Sequence, residues 1–426
     1  MKNYSAMSLS ELEAEYQSVS AYFSSCKAQA LKLNMARGKP SAAQLDAVSD
    51  ILNVIVKAED CIDDGIDGRN YGELQGMPSA RRYWADVLGC KPSETFIGGS
   101  SSLNLMFDVI ARAYSHGLLH SPKPWCKEET VKFLCPSPGY DRHFRVTEFF
   151  GAELIAVPMT VNGPDMDVVE DLVKDPQVKG IWCVPKYSNP DGIIYSDETV
   201  LRFARLKPAA PDFLIMWDNA YCIHEFEGEY VPFPDIIGLC AQEGNPDMVM
   251  EFASTSKITF AGGGFSVLAT SEANIAYLSK LYGVQMISYD KINQIRHVRY
   301  LKDKAGTIEI MKRHAAILGP KFRVVADYLD QQIRPCGFAN WNTPKGGYFV
   351  SLNTMPGTAK RALALCKEAG VVMTGAGATY PYGKDPLDSN IRIAPSLPPV
   401  SELEKAMEVF CTCLKMAALE KLLNKY

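Results

Sequence analysis

The sequence lacks several features that would assign it to common functional classes. It has no excess of positive charge, because 44 Lys and Arg face 49 Asp and Glu and the net charge is −5. This balance argues against a nucleic-acid-binding surface. No apolar run reaches the roughly 18 residues that a membrane span needs, so we expect none. Twelve cysteines are scattered without a C-x-x-C pair or metal-ligand spacing, which favours reduced thiols and a cytoplasmic location.

The chain also contains no internal repeat and no low-complexity segment. Residues 1–19 are polar with helical spacing, so we expect no signal peptide there. A length of 426 residues exceeds the usual size of a single core, and this predicts two domains. We expect a large α/β domain over residues 45–290. Residues 1–44 and 291–426 would form a smaller α+β domain.

Short apolar runs, each followed by a polar motif, organise the first part of the chain. We predict strands at Thr95–Ile97, Val131–Cys135, Gly180–Val184, Phe213–Trp217 and Met248–Ala253. Helical stretches such as Asp197–Arg205 separate them, which is typical of βαβ units and a mainly parallel sheet. Ligands of such sheets bind beyond the carboxyl ends of the strands, so the polar motifs are expected to meet there.

The motif Ser254–Lys257, S-T-S-K, follows the last of these runs and precedes the glycines Gly262–Gly264. A partly desolvated lysine can lose its proton and form a Schiff base with a carbonyl. The flanking hydroxyls and the glycine backbone suit a phosphate group. Taken alone the motif is weak, because most lysines are solvated surface groups.

Three further glycine-containing loops are candidates for binding. Gly98–Ser102 lies between a predicted strand and a predicted helix, where free amide groups and the helix dipole favour an anion; a plain N-cap is the alternative. Met35–Pro40 and Gly68–Gly76 could be functional loops or simple turns.

After about Leu281 the pattern changes to that of the smaller domain. We predict helices at Ile292–Leu318, Phe322–Gln332, Thr358–Ala369 and Ser401–Leu423, and strands at Lys345–Val350 and Asn390–Ala394. The amphipathic N-terminal helix, from Leu9 to about Leu33, is expected to complete this domain.

Four motifs occur in an order and at intervals that resemble a fold-type I pyridoxal-phosphate aminotransferase. They are Asn189-Pro190-x-Gly192, Asp218-x-Ala220-Tyr221, Ser254-x-Ser256-Lys257 and Arg392. The stretches Met35–Pro40, Ser100–Met106 and Pro136–Phe144 resemble the MocR-like subgroup of aminotransferase domains that includes aspartate aminotransferases. The resemblance covers nearly the whole chain and implies a large domain with a mainly parallel sheet of the seven-stranded type.

The resemblance implies roles for individual residues. Lys257 would hold pyridoxal 5′-phosphate as an internal aldimine and then shuttle a proton. Asp218 would pair with the pyridinium nitrogen, so that the ring acts as an electron sink; a helix N-cap is the plain alternative. Asn189 and Tyr221 would hydrogen-bond the phenolic oxygen of the cofactor. Tyr140 would stack on its ring, unless it is a core tyrosine.

The resemblance also implies ligands for the phosphate and the substrate. The phosphate would be held by Gly99, Ser100, Ser101, Ser254 and Ser256. Tyr71 would reach it from the neighbouring subunit, which implies a homodimer with shared active sites. Arg392 would clamp the substrate α-carboxylate with a bidentate fork, and Gly38 and Asn189 would lie against the substrate.

One position departs from the family pattern. Many relatives carry an arginine eight residues after the lysine, where it pairs with the phosphate, and here that residue is Phe265. Either another cation compensates, or the helix dipole at Ser100–Leu103 contributes more. The sequence leaves both explanations open.

The implied activity is the ping-pong transfer of an amino group from an α-amino acid to 2-oxoglutarate, with aspartate favoured by the subgroup. A dicarboxylic substrate needs a second cation. A surface charge is the better interpretation of each candidate, so none is assigned to the site: Arg37, Lys39, Arg142, Lys291 and Arg296. An alanine or aromatic aminotransferase, a carbon–sulfur lyase and a decarboxylase remain alternatives. A ligand-sensing regulator domain is a further class, but roughly 35 residues before the first site loop are too few for a winged helix-turn-helix.

Overall fold

The computed structural model describes residues 2–425. The helices are α1 Leu9–Ala28, α2 Ala42–Asp46, α3 Pro78–Leu88, α4 Ser102–Ser115, α5 Asp141–Phe149, α6 Met166–Leu172, α7 Asp197–Ala204, α8 Ile236–Gln242, α9 Glu272–Gln285, α10 Lys291–Leu301, α11 Lys304–Gln332, α12 Ala359–Glu368 and α13 Val400–Leu422. The strands are β1 Leu33–Asn34, β2 Ile62–Asp63, β3 Ile66–Asp67, β4 Thr95–Gly98, β5 Lys132–Ser137, β6 Glu153–Thr160, β7 Gly163–Pro164, β8 Val178–Cys183, β9 Leu214–Asp218, β10 Val249–Ser254, β11 Ser266–Ala269, β12 Asn340–Trp341, β13 Val350–Asn353, β14 Val371–Val372 and β15 Asn390–Ile393.

The largest sheet has eight strands in the order β4-β11-β10-β9-β8-β5-β6-β7. The strands from β10 to β6 run parallel. Strand β11 is antiparallel to both of its neighbours, and β7 forms an antiparallel pair with β6. The predicted α/β fold with a mainly parallel sheet is confirmed, and the eighth strand is the two-residue β7 at one edge.

The sheet brings the polar motifs together as expected. Strands β8, β9 and β10 are adjacent and buried at every position, which explains why their sequences are mostly apolar. Because they are parallel, their carboxyl ends lie at the same edge of the sheet. Strand β4 runs in the same direction, since two antiparallel pairings relate it to β10. The loops after all four strands therefore open on one side.

Side chains alternate between the two faces of this sheet. Along β9, Ile215 and Trp217 belong to one apolar cluster, whereas Leu214 and Met216 belong to another. This is the two-residue period of a strand covered by helices on both faces. The central strands are thus packed on both faces, and this fixes the points at which the following loops begin.

The N-terminal helix packs on the C-terminal part of the chain. Ser8 and Glu11 form a capping box that starts α1. One apolar cluster joins α1 to α11, α12, α13 and the three-stranded sheet β12-β13-β15. The limits of the two domains stay a prediction, because Ile295 and Ile310, beyond residue 290, belong to a cluster on the large sheet.

The helical region after Leu281 divides at a different point from the one predicted. The chain breaks at Lys302, where φ is +66°, and Asp303 starts α11 by accepting a hydrogen bond from Gly306 N at 2.7 Å. Pro320 lies inside α11. A proline removes one backbone donor, and buried Leu318 and Phe322 on either side hold the helix together. Within residues 2–425 we find no helix with the length and apolarity required to cross a bilayer.

Candidate active site

A cavity of about 530 Å³ lies beyond the carboxyl ends of β8, β9 and β10. Seven of the predicted site residues line it: Gly38, Tyr140, Asn189, Asp218, Tyr221, Lys257 and Arg392. Another cavity of about 430 Å³, near His120 and Asp247, shares no residue with it. The fold therefore assembles residues from separate stretches of the chain around one space.

Lys257 lies in a single 3₁₀ turn, Thr255–Lys257, that directly follows β10. Its Nζ is 4.6 Å from the ring centroid of Tyr221 and 5.9 Å from that of Tyr348. Burial lowers the pKa of Lys257 below its ordinary value, and the Asp218 carboxylate partly opposes this shift. The lysine is thus a desolvated amine that loses its proton more easily than a surface lysine.

Asp218 is the last residue of β9 and is 4% exposed. His143 Nε2 donates a hydrogen bond to its Oδ2 at 2.8 Å, while its Oδ1 is buried and has no partner among the described residues. Buried polar atoms without partners are uncommon. This oxygen is therefore available to a donor from a bound molecule.

His143 is a site residue that sequence reasoning missed. Its imidazole stacks on the Trp182 ring, with centroids 4.4 Å apart and planes 9° apart. Tyr140 meets the same imidazole edge-on at 4.8 Å, and burial is the main cause that raises the pKa of Tyr140 to about 12. The only available signal was the position of His143, three residues after Tyr140 at the start of a helix.

Arg392 lies on β15 opposite Ser351 of β13. Its Nη1 donates to Asp141 Oδ1 at 3.1 Å and to Asn189 Oδ1 at 3.3 Å. Its guanidinium carbon is 4.9 Å from the centroid of the Phe349 ring, and its buried Nε has no acceptor among the described residues. The guanidinium is held at the cavity wall with donor capacity left over.

Gly38 packs against the same phenylalanine. A Cβ built on Gly38 would lie 2.3 Å from Phe349 Cζ, closer than any real contact. Glycine at this position lets the loop approach Phe349, on which Arg392 lies. The loop thus supports the arginine as well as lining the cavity.

The predicted phosphate ligands lie on adjacent loops outside the lining of this cavity. Ser254 Oγ and Ser256 Oγ are 2.7 Å apart and share a hydrogen bond. Ser101 Oγ accepts a hydrogen bond from Leu103 N at 3.3 Å and caps α4, so the capping alternative is also realised. Ser266 Oγ donates to Gly99 O at 2.9 Å, which ties the Gly98–Ser102 loop to β11, the strand paired with β10.

Tyr71 lies outside the cavity and is 82% exposed. Its backbone N donates to Asn70 Oδ1 at 2.9 Å. The contact of Tyr71 with a neighbouring subunit stays a prediction.

The five cations considered for a second carboxylate fall into two groups. Arg37, Lys39 and Arg142 line the cavity, and their side chains make no hydrogen bond or ion pair within residues 2–425. Lys291 and Arg296 lie on α10 and do not line it. The Nζ of Lys291 instead donates to Gly72 O at 3.0 Å.

Comparison with known proteins identifies the family. The family model described as aspartate amino-transferase matches residues 7–426. An aspartate aminotransferase from Corynebacterium glutamicum is 46% identical over 432 residues, with 100% of both chains covered. The crystal structure of an aspartate transaminase from C. glutamicum superposes with a TM-score of 0.97 at 46% identity, covering 98% of this chain and 99% of that one.

A more distant neighbour shows the same fold. The α-aminoadipate aminotransferase from Thermus thermophilus, solved with N-(5′-phosphopyridoxyl)-L-leucine, has a TM-score of 0.72 at 19% identity, with 92% of this chain and 93% of that chain covered. The chain belongs to the aspartate amino-transferase family and has the type I aminotransferase fold. It is an aminotransferase, and the predicted resemblance is confirmed.

Proposed function

We propose that this aminotransferase uses pyridoxal 5′-phosphate to move the amino group of aspartate to 2-oxoglutarate in a ping-pong cycle. The observation that carries the proposal is the presence of Lys257, Asp218 and Arg392 in one cavity. These residues supply a reactive amine, a buried carboxylate and a carboxylate-binding cation. The twelve scattered cysteines fit a reducing compartment, which supports a cytoplasmic location.

The residues present fit this cofactor. Buried Asp218 Oδ1, which lacks a partner among the described residues, suits a heteroaromatic N–H donor. The hydroxyls of Ser254 and Ser256 and the amides around Gly99 suit a phosphate group. When bound, the cofactor supplies an electron sink for the bonds at the substrate Cα.

The protein groups would then hold the cofactor and move a proton. Lys257 would bind it covalently through Nζ and, once released, accept and return a proton at the same atom. Its lowered pKa makes the proton easier to lose than that of a surface lysine. Asp218 would keep a proton on the ring nitrogen, and His143 would orient that carboxylate. Asn189 and Tyr221 would donate hydrogen bonds to the cofactor, and we propose that Tyr140 stacks on its ring.

Arg392 would bind the α-carboxylate of either substrate. Its present partner Asp141 contacts only Nη1, so the remaining donors can form the bidentate contact that suits a carboxylate. Gly38 would lie against the substrate beside Phe349.

The charge of the cavity supports a dicarboxylic substrate. Apart from Lys257, its lining contains four cations, Arg392, Arg37, Lys39 and Arg142, against the two carboxylates of Asp141 and Asp218. A second carboxylate would find unpaired positive charge among the last three cations, whereas alanine or an aromatic side chain would leave them unused.

We further propose a homodimer in which Tyr71 reaches the phosphate of the neighbouring subunit. The large exposed area of this tyrosine supports a role at an interface, since aromatic side chains are enriched there.

The proposed function is tested by a single half-reaction. The purified chain is loaded with pyridoxal 5′-phosphate and its absorption spectrum is recorded before and after aspartate is added, with oxaloacetate measured in parallel. We expect the cofactor spectrum to change with aspartate and one oxaloacetate to form per bound cofactor. A change with alanine alone would correct the substrate, and no cofactor binding would refute the proposal.

A further inference from the structure

Residues 289–293, which lead into α10, contact three of the loops that would surround the cofactor phosphate. An added Cβ at Gly99 would lie 3.3 Å from the Tyr289 ring. Lys291 Nζ donates to Gly72 O at 3.0 Å. Asn293 Nδ2 donates to Gly264 O at 2.9 Å. The start of α10 therefore lies against the Gly98–Ser102 loop, the Gly68–Gly76 loop and the glycines after Lys257.

The contact with Gly264 is close to the lysine motif itself. A Cβ on Gly264 would lie 3.0 Å from the backbone N of Ser256, so this glycine packs directly on the turn that carries the predicted phosphate ligands. Asn293 thus connects α10 to that turn by one hydrogen bond and one backbone contact.

Position 265, where many relatives carry an arginine, cannot serve the phosphate. The Phe265 side chain is 1% exposed and packs on Trp84 at 5.5 Å and His297 at 5.1 Å. His297 does not supply charge either, since burial lowers its pKa to about 4 and keeps it neutral. Neither of these side chains can therefore supply positive charge to the phosphate.

Arg296 is the cation that α10 leaves available. Its Nη2 donates to Asn293 Oδ1, one turn earlier on the helix. Its Nε is buried and finds no acceptor within the described residues. The other two cations of α10 already donate to backbone carbonyls: Lys291 to Gly72 O and Arg299 to Ile62 O. The cations of the substrate cavity line a space to which none of the predicted phosphate-binding serines contributes.

We propose that Arg296 is the cation that binds the phosphate of the cofactor, in place of the arginine absent at position 265. The ligand it would take is a phosphate monoester dianion, and Asn293 would position its guanidinium against the Ser256 turn. This inference rests on the proposed use of pyridoxal 5′-phosphate.

The test compares two cofactor forms that differ only in the phosphate. Equilibrium dissociation constants of pyridoxal 5′-phosphate and of pyridoxal are measured for the cofactor-free wild type, for Arg296→Gln and for Arg299→Gln. Arg299 is a matched control, because it lies on the same helix and donates to Ile62 O. We expect Arg296→Gln to weaken binding of the phosphorylated form by roughly ten-fold or more and that of pyridoxal by less than about two-fold. Arg299→Gln should leave both unchanged.

Several outcomes would overturn the inference. Unchanged affinity of Arg296→Gln for the phosphorylated form, or equal weakening of both forms, would show that Arg296 does not read the phosphate. An unchanged cofactor affinity with a raised KM for aspartate would make it a substrate residue instead. If the wild type binds neither form, the proposed function fails and not only this inference.

A crystal structure of the wild type with bound cofactor decides the question if Arg296→Gln does not fold. An Arg296 nitrogen within about 3.2 Å of a phosphate oxygen would support the inference. A guanidinium that points away from the phosphate would refute it.

Discussion

His143 Nε2 lies 2.8 Å from Asp218 Oδ2, and this contact leaves Oδ1 as the one carboxylate oxygen of Asp218 without a partner among the described residues. Because the imidazole is stacked on Trp182, it can hold the carboxylate in a single orientation. A ring nitrogen in the cavity would thus meet a pre-oriented acceptor, at no cost of reorganisation when the substrate reacts.

We predict that Asp218→Asn lowers kcat by roughly 100-fold or more, because the amide cannot stabilise a protonated ring nitrogen as a carboxylate does. His143→Phe should lower kcat less, since it removes only the positioning contact. Steady-state kinetics with aspartate measure both effects. An unchanged kcat in Asp218→Asn would contradict the assigned role.

Lys257→Ala should abolish turnover, and Lys257→Arg should not restore it, because a guanidinium stays protonated and cannot act as the base. Borohydride reduction followed by mass spectrometry should add the cofactor mass to the wild type but to neither Lys257 variant. Lys367 is exposed on α12, so Lys367→Ala serves as the control. This variant should be labelled like the wild type. Normal turnover by Lys257→Ala would refute the role proposed for Lys257.

Arg392→Lys should raise KM for aspartate and alanine alike by roughly ten-fold, since lysine cannot form the bidentate contact with the α-carboxylate. The ratio of the two KM values is the informative measurement. An increase seen with aspartate but not with alanine would mean that Arg392 binds the other end of the substrate.

For the three unpaired cations we predict the opposite pattern. Neutralising Arg37, Lys39 or Arg142 singly to Gln should raise KM for aspartate and 2-oxoglutarate by roughly five-fold or more in at least one variant, with KM for alanine unchanged. Arg145→Gln is the matched control, because Arg145 is exposed on α5 but does not line the cavity. If all three variants have a normal KM for aspartate, another residue binds the second carboxylate of the substrate.

A pH effect on stability is expected from Glu251 on β10. Burial raises the pKa of this carboxyl to about 8, while Asn219 Nδ2 donates to it. The ordinary pKa of this carboxyl is 4.5. Between pH 4.5 and about pH 8, the unfolded chain has therefore lost the proton, whereas the folded chain keeps it. The free energy of unfolding should therefore fall as pH rises towards 8, and stay lowered above it.

Glu251→Gln should remove this loss of stability. From about pH 5 to pH 8, the free energy of unfolding of the variant should rise by about 2 kcal/mol or more relative to that of the wild type. Urea denaturation at both pH values measures this change. Exposed Glu153→Gln on β6 is the control and should show no such gain. If the difference in free energy of unfolding between Glu251→Gln and the wild type is the same at both pH values, the raised pKa is contradicted.

Much of the fold could be predicted because its signals are local. Each apolar run of the central sheet is followed at once by its polar motif, as in Phe213–Trp217 before Asp218, and a parallel sheet places such ends together whatever the details of packing. The strands of the large sheet that were not predicted, β6, β7 and β11, lack such a motif. The helix break was misplaced because Pro320 is a strong local signal, whereas the cap at Asp303 and the packing of Leu318 and Phe322 decided the outcome.

The sequence by itself determined the order of the motifs, and with it the family, the lysine, the aspartate and the arginine that we propose binds the substrate carboxylate. It could not show that His143 orients Asp218, or that Arg142 lines the cavity while Arg296 is bound to Asn293 beside Gly264. A charged side chain looks the same in sequence whether it is solvated or directed at a ligand. Only the long-range packing of α10 and α5 on the sheet separates these cases, because it fixes the direction in which each side chain points.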